Sequence, residues 1–128
     1  MAQILFIEPD KLLASTYQQT LESAGHTVII APSAQTAIFA ADEVKPDIVV
    51  LELQLIEHSG IEFLYEFRSY PEWQTVPVIV HSSVPPAEFS LNRILLREQL
   101  GVQLYLYKPH TSLSALLEHV AEAVAVAA

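Results

Sequence analysis

Polar side chains capable of chemistry stand in this chain at the ends of short apolar runs. Glu8 follows Ile4 to Ile7, Glu52 follows Ile48 to Leu51, Ser82 and Ser83 follow Val76 to His81, and Lys108 follows Val102 to Tyr107, a run that contains Tyr105. A carboxylate attached to a segment buried on both faces is costly unless it is paired or reaches water or a cation. Glu52, in the stretch PDIVVLELQL, therefore needs either a partner or a task. Two acids, a hydroxyl and a lysine can hold a divalent cation between the carboxylates. They can also satisfy one another as strand-end ion pairs, with no ligand involved.

Bringing these residues together requires a particular set of elements. Ile4–Ile7 is nearly all apolar, as in an interior parallel strand. Asp10 suits the N-cap of a helix carrying Leu13, Tyr17, Thr20, Leu21 and Ala24 and stopping at Gly25. HTVIIA, from His26, is the second strand, and Ser33 caps a helix through Ala34, Ala37, Ile38 and Ala41 that ends before Lys45-Pro46. The third strand spans Asp47 to Leu53, and a helix with Ile61, Leu64, Tyr65 and Phe67 or Arg68 in its rows runs from near Gly60 to Tyr70-Pro71. Val76–Val80 is the fourth strand. A helix opening at Pro85-Pro86 is expected to run through Phe89, Ile94, Leu95 and Leu96 to Gly101. The fifth strand is Val102–Tyr107, and a last helix from about Ser112 carries Leu113, Leu116, Leu117, Val120 and Val124.

Strand followed by helix, five times over, predicts right-handed crossovers and a five-stranded parallel sheet with helices on both faces. This is a doubly wound α/β domain of flavodoxin-like size, spanning residues 1–128 as one unit with no output domain. Ligands of such sheets bind outside the carboxyl ends of the strands, where Glu8, Glu52, Ser82, Tyr105 and Lys108 fall.

Composition narrows the functions open to such a domain. Apolar residues make up 52% of the chain and its net charge is −9, so it lacks the positive charge that neutralises phosphates in nucleic-acid binding. No cysteine is present, which removes thiolate nucleophiles, disulfides and Cys-based zinc sites. MAQILFIEPDK has no basic region before its apolar residues and does not read as a signal peptide, and no uncharged apolar run is long enough to span a bilayer. A cytoplasmic protein is expected. Gly-rich phosphate loops are absent, which argues against nucleotide cofactors. The histidines at 26, 58, 81, 110 and 119 are scattered without ligand spacing. His81 and Ser82 are strand neighbours facing opposite ways, with no nucleophile elbow, so they do not form a hydrolase pair.

Five segments in order, ILFIEPD, PDIVVLELQL, SGIEFL, PVIVHSS and LGVQLYLYKP, together resemble the receiver domain of response regulators, the CheY-like fold. The resemblance covers nearly the whole chain. It implies that Glu52 occupies the position of the phosphorylated aspartate and Glu8 that of the first metal-binding acid. Ser82 matches the switch hydroxyl, Tyr105 the aromatic switch residue, and Lys108 the lysine that pairs with the phosphoryl group. It also implies a Mg2+ cofactor and a partner histidine kinase, but two positions depart from the pattern. Pro9 replaces the second acid, leaving only Asp10 nearby as a substitute ligand, and Glu52 replaces the aspartate.

A glutamate is longer by one methylene, which displaces the carboxylate from the position needed for in-line transfer and moves its charge toward the place of a phosphoryl group. The loop LQLIEHSG replaces the Met-Pro-Gly usual in the family. The expectation is an atypical pseudo-receiver in two-component or phosphorelay signalling, with no catalytic residues and no required cofactor. It acts by contact with signalling proteins, a histidine kinase or an output protein among them, without nucleic acid or membrane. Leu104, Tyr105, Tyr107, Arg93 and Arg97 form its expected interface, and the apolar composition leaves a homodimer open. Three alternatives stand beside it. These are a phosphorylatable receiver with Mg2+ on Glu8, Asp10 and Glu52, a small flavodoxin-fold enzyme with a metal on Glu8, Glu52 and His58, and a structural dimerisation domain.

Overall fold

The computed structural model describes residues 2–87 and 94–127. Five strands, β1 (Gln3–Ile7), β2 (Thr27–Ala31), β3 (Ile48–Leu51), β4 (Val78–Ser82) and β5 (Val102–Tyr107), form one sheet in the order β2-β1-β3-β4-β5. Every pairing is parallel. Helices α1 (Lys11–Ser23), α2 (Ala34–Glu43) and α3 (Gly60–Ser69) connect strands, and α4 (Leu113–Ala127) follows β5. The chain is thus the five-stranded doubly wound α/β fold that its alternating pattern predicts.

Alternation within the strands splits the core into two layers. Leu5, Ile7, Val49, Leu51, Val78 and Val80 face one side, against alanines of α2 and Phe63, Leu64 and Phe67 of α3. Ile4, Phe6, Ile48, Val50 and Ile79 face the other, against Tyr17 and Leu21 of α1 and Leu116 and Val120 of α4. All four residues of β3 are fully buried, as suits the central strand.

Local chemistry sets the helix starts. Asp10 accepts hydrogen bonds from the amides of Leu12 and Leu13, Ser33 forms a reciprocal capping box with Thr36, and Ser59 caps α3 through the amide of Glu62.

Three sequence expectations are corrected. In α1 the buried seam is Ala14, Tyr17 and Leu21, while Leu13 is exposed. In α3 it is Phe63, Leu64 and Phe67, with Tyr65 outside. In α4, Leu116, Val120 and Ala123 are buried and Leu113 is exposed. In each helix a residue assigned to the apolar face lies at its margin, where the helical repeat turns it toward solvent. Of the fourth helix, expected from Pro85-Pro86 to Gly101, residues 88–93 lie outside the described residues, and Leu95–Gln99 near its end form a π-helical turn. Phe89 and Arg93 lie outside the described residues.

A bulge in β5 decides the direction of its aromatic. Val78 pairs with Val102 but Ile79 pairs with Leu104, which leaves Gln103 as an extra, exposed residue. Strict alternation would put Val102 and Tyr105 on opposite faces. The bulge places both on the α2–α3 side.

Candidate functional site

Four strands deliver the candidate residues to one end of the sheet. The backbone N–H of Glu8 bonds to the carbonyl of Ala31 and that of Glu52 to the carbonyl of Ile7, so the ladder continues one residue past β1 and β3 and fixes both acids. Both side chains are buried, Glu8 at 2% and Glu52 at 4% exposure. Lys108 begins a short 3-10 turn, Lys108–His110, directly after β5. Its ammonium lies 2.6 Å from Oε1 of Glu8 and 2.8 Å from Oε1 of Glu52.

Glu52 accepts hydrogen bonds on both oxygens. Oε1 takes the Lys108 ammonium at 2.8 Å, the Ser83 amide at 3.2 Å and the Ser83 hydroxyl at 3.4 Å. Oε2 takes the Ser82 hydroxyl and, at 3.2 Å, the amide of Gln54. A carboxylate offers about four lone-pair sites, so five donors saturate it. Burial by itself pushes the Glu52 carboxyl up, but the bonds from Lys108, Ser82 and the Gln54 amide outweigh it and hold the group below its ordinary value. Burial likewise pushes the Lys108 ammonium down, and its two carboxylate partners reverse this and raise it. Glu52 and Lys108 are therefore both charged at neutral pH.

Ser82 connects the carboxylate to the following loop. Its Oγ donates to Glu52 and accepts from the amide of Val84 at 3.1 Å. The carbonyl of Val84 in turn accepts the Tyr105 hydroxyl at 2.6 Å. Tyr105 is half-buried, and a continuous chain runs from Glu52 through Ser82 and Val84 to β5.

Asp10 does not join this group: its carboxylate caps α1 and is exposed, while its backbone N–H donates to Oε2 of Glu8 at 3.2 Å. Among the described residues, no three His, Cys, Asp or Glu side chains are grouped so as to hold a metal. His58 is paired with Glu62 of its own segment at 2.8 Å. Leu104 packs on the α1–α4 core, Tyr107 packs edge-on to His110, and Arg97 is exposed on the π-helical turn.

Ser83, which the sequence places beside Ser82 after β4 but with no role of its own, and Gln54, which the sequence reading leaves out, complete the hold on Glu52. The amides of both residues contribute, and a backbone N–H leaves no mark on residue type. The SS pair after β4 was the one available signal.

A doubly wound sheet with acids after β1 and β3, a hydroxyl at the end of β4 and a lysine after β5 defines the receiver class of signalling domain. Residues 4–121 match the response regulator receiver domain, and the chain belongs to that family. Among curated relatives, the KDP operon transcriptional regulatory protein KdpE of Escherichia coli is 34% identical over 83 residues, 65% of this chain and 36% of that protein. The alkaline phosphatase synthesis transcriptional regulatory protein PhoP of Bacillus subtilis is 28% identical over 107 residues, 84% of this chain and 42% of its own. The matches thus span less than half the length of either relative.

Solved structures show the same fold. A CheY-like receiver domain protein from Methanospirillum hungatei superposes with a TM-score of 0.86 at 20% identity, over 99% of this chain and 96% of that one. The receiver domain of Francisella response regulator 1452 gives 0.85 at 22% identity over all of both chains. No helix among the described residues is long and apolar enough to cross a membrane.

The Mg2+ ion that the family implies does not fit this donor set. Magnesium requires near-octahedral oxygen ligands. Pro9 supplies no side-chain oxygen, Asp10 is turned to its helix, and Glu8 and Glu52 already share the ammonium of Lys108.

Proposed function

We propose that this chain is an atypical receiver, a pseudo-receiver in two-component or phosphorelay signalling that works in the cytoplasm through protein–protein contacts. In this reading Glu52 supplies permanently the negative charge that a phosphorylated aspartate supplies transiently. Residues 1–128 act as one module, and the partners are signalling proteins such as a histidine kinase or an output protein. The observation that supports it best is the saturation of the Glu52 carboxylate by Lys108, Ser82, Ser83 and the Gln54 amide. An oxygen engaged by several donors is a poor nucleophile, and its displaced position is unsuited to in-line transfer.

The switch residues support the same reading. Ser82 faces the carboxylate, and Tyr105 is held by the loop that Ser82 organises. This is the arrangement expected of a receiver responding to charge at its acceptor position.

The test is NMR titration with Mg2+, with and without beryllofluoride, on the wild type and on the Pro9→Asp/Glu52→Asp double variant. The wild type is expected to show no saturable shifts, and the double variant to show them at Ser82, Val84 and Tyr105. Saturable shifts in the wild type would overturn the proposal and make this a working phosphoacceptor.

A further inference from the structure

Away from the strand ends, α2 and α3 leave a groove of about 630 Å³ between them. Ile38 and Phe39 of α2 and Tyr70 at the end of α3 supply its apolar surface, and Phe39 is 62% exposed. Glu62 and Glu66 of α3 line the same groove. Small residues on α2 create it: Ala34, Ala37 and Ala41 form the buried face of that helix, leaving the larger Ile38 and Phe39 beside the seam.

The charge on this surface has one sign. α2 contains no lysine or arginine, and α3 contains only Arg68. Arg68 is turned away, its guanidinium donating to the carbonyls of Leu100 at 2.9 Å, Trp73 at 2.7 Å and Gly101 at 3.3 Å. Glu62 is met by His58, and the Glu66 carboxylate by the Tyr70 hydroxyl at 3.5 Å. Asp42 and Glu43 lie in the last turn of α2 with no basic residue there, at the helix end where the dipole favours cations. An apolar floor edged by the Glu62 and Glu66 carboxylates, with no lysine or arginine among its lining residues, complements a basic amphipathic segment.

The groove is continuous with the site. A second depression, of about 700 Å³, shares His58 and Glu62 with it and extends to Gln54 and Val84. The amides of those two residues hold Glu52 and Ser82.

We propose that the α2–α3 groove docks a basic amphipathic helix of a partner protein. Apolar side chains of the partner pack on Ile38, Phe39 and Tyr70, and its Lys or Arg residues face Glu62 and Glu66. Helices of ten residues are about 15 Å long, which accommodates about three turns of such a partner. A second copy of this chain fits poorly, because each copy carries a net charge of −9. The proposal stands whether or not Glu52 accepts a phosphoryl group.

The experiment titrates the whole chain with a synthetic amphipathic helix, leucines along one face and lysines flanking them, followed by amide NMR. A peptide of the same composition in scrambled order is the control. Saturable shifts confined to α2, α3 and the 54–59 loop are expected with the helical peptide. Glu62→Gln/Glu66→Gln should weaken binding at least tenfold and Phe39→Ser by a similar factor. Glu118→Gln/Glu122→Gln, which removes two charges from α4, should change it less than twofold.

Equal weakening by both charge-removing pairs, equal binding of the scrambled peptide, or shifts centred on β5 and α4 would overturn the assignment. So would concentration-dependent shifts of the same residues in the protein alone, since a second copy would then be the occupant.

Discussion

The ammonium of Lys108 lies 2.8 Å from Oε1 of Glu52, joining residues 56 positions apart. The same ammonium reaches Glu8 at 2.6 Å, so one cation balances two buried acids. Removing it leaves both carboxylates without compensation. Lys108→Met is expected to cost roughly 3–5 kcal/mol in urea denaturation. The triple variant Glu8→Gln/Glu52→Gln/Lys108→Met should recover much of the loss, because the uncompensated charges are gone. Loss by the triple variant as large as that of the single one would show that the charges are not the cause.

Ser82 and Tyr105 meet through Val84, whose amide and carbonyl they respectively hold. Ser82→Ala should cost roughly 1.5–3 kcal/mol, since it removes a bond to a charged group, and Tyr105→Phe about 1 kcal/mol. Because they share Val84, the double variant should depart from additivity by at least about 0.5 kcal/mol. Additive losses would show that the chain of bonds transmits nothing.

His81 gives the protein an acid-sensitive core. It is 1% exposed and packs edge-on to Tyr17 at 5.0 Å and Phe6 at 6.2 Å, with its Nδ1 buried and unpartnered among the described residues. Burial first, and Lys108 second, lower its pKa from 6.5 to about 4. The unfolded chain therefore binds the proton first. Stability is full above pH 6.5 and falls as pH drops toward 4, by roughly 3 kcal/mol in total. Glu52, whose pKa is lowered in the fold, adds a second loss only below its ordinary 4.5. His81→Phe should flatten the urea-midpoint profile between pH 6.5 and 4.5, leaving the smaller slope from His26, which burial also lowers.

Glu57 has φ 72°, the left-handed region, in the loop after β3. A side chain there costs about 1 kcal/mol, and Glu57→Gly should raise stability by about 0.5–1 kcal/mol in thermal or urea melts. No gain would indicate that the Glu57 side chain makes a compensating contact.

Much of the layout could be read from residue patterns, because the features involved are local or periodic. Apolar runs bounded by Asp, Ser, Gly and Pro located β1, β3 and β5, the capped starts of α1 and α2, and the start of α3 near Gly60. A lysine directly after an apolar run placed Lys108 at the same sheet end as Glu52. What escaped was non-local or carried by the backbone. The bulge at Gln103 breaks the two-residue repeat and directs Tyr105, yet Gln103 is an ordinary exposed strand residue in sequence. The holds from Ser83 and Gln54 depend on amides that every residue possesses. Asp10 could have been cap or ligand, and the geometry of α1 gives its carboxylate to Leu12 and Leu13.

The negative charge at position 52 belongs to the polypeptide and not to a group attached to it. An acyl phosphate can be hydrolysed, which gives a signal a lifetime and a reset, whereas a glutamate side chain has no bond that water breaks on such a timescale. If the Glu8–Lys108–Glu52 arrangement sets the state of the molecule, synthesis and degradation of the chain determine how long that state lasts. The cell would then read how much of the protein is present, without reading what fraction of it is modified.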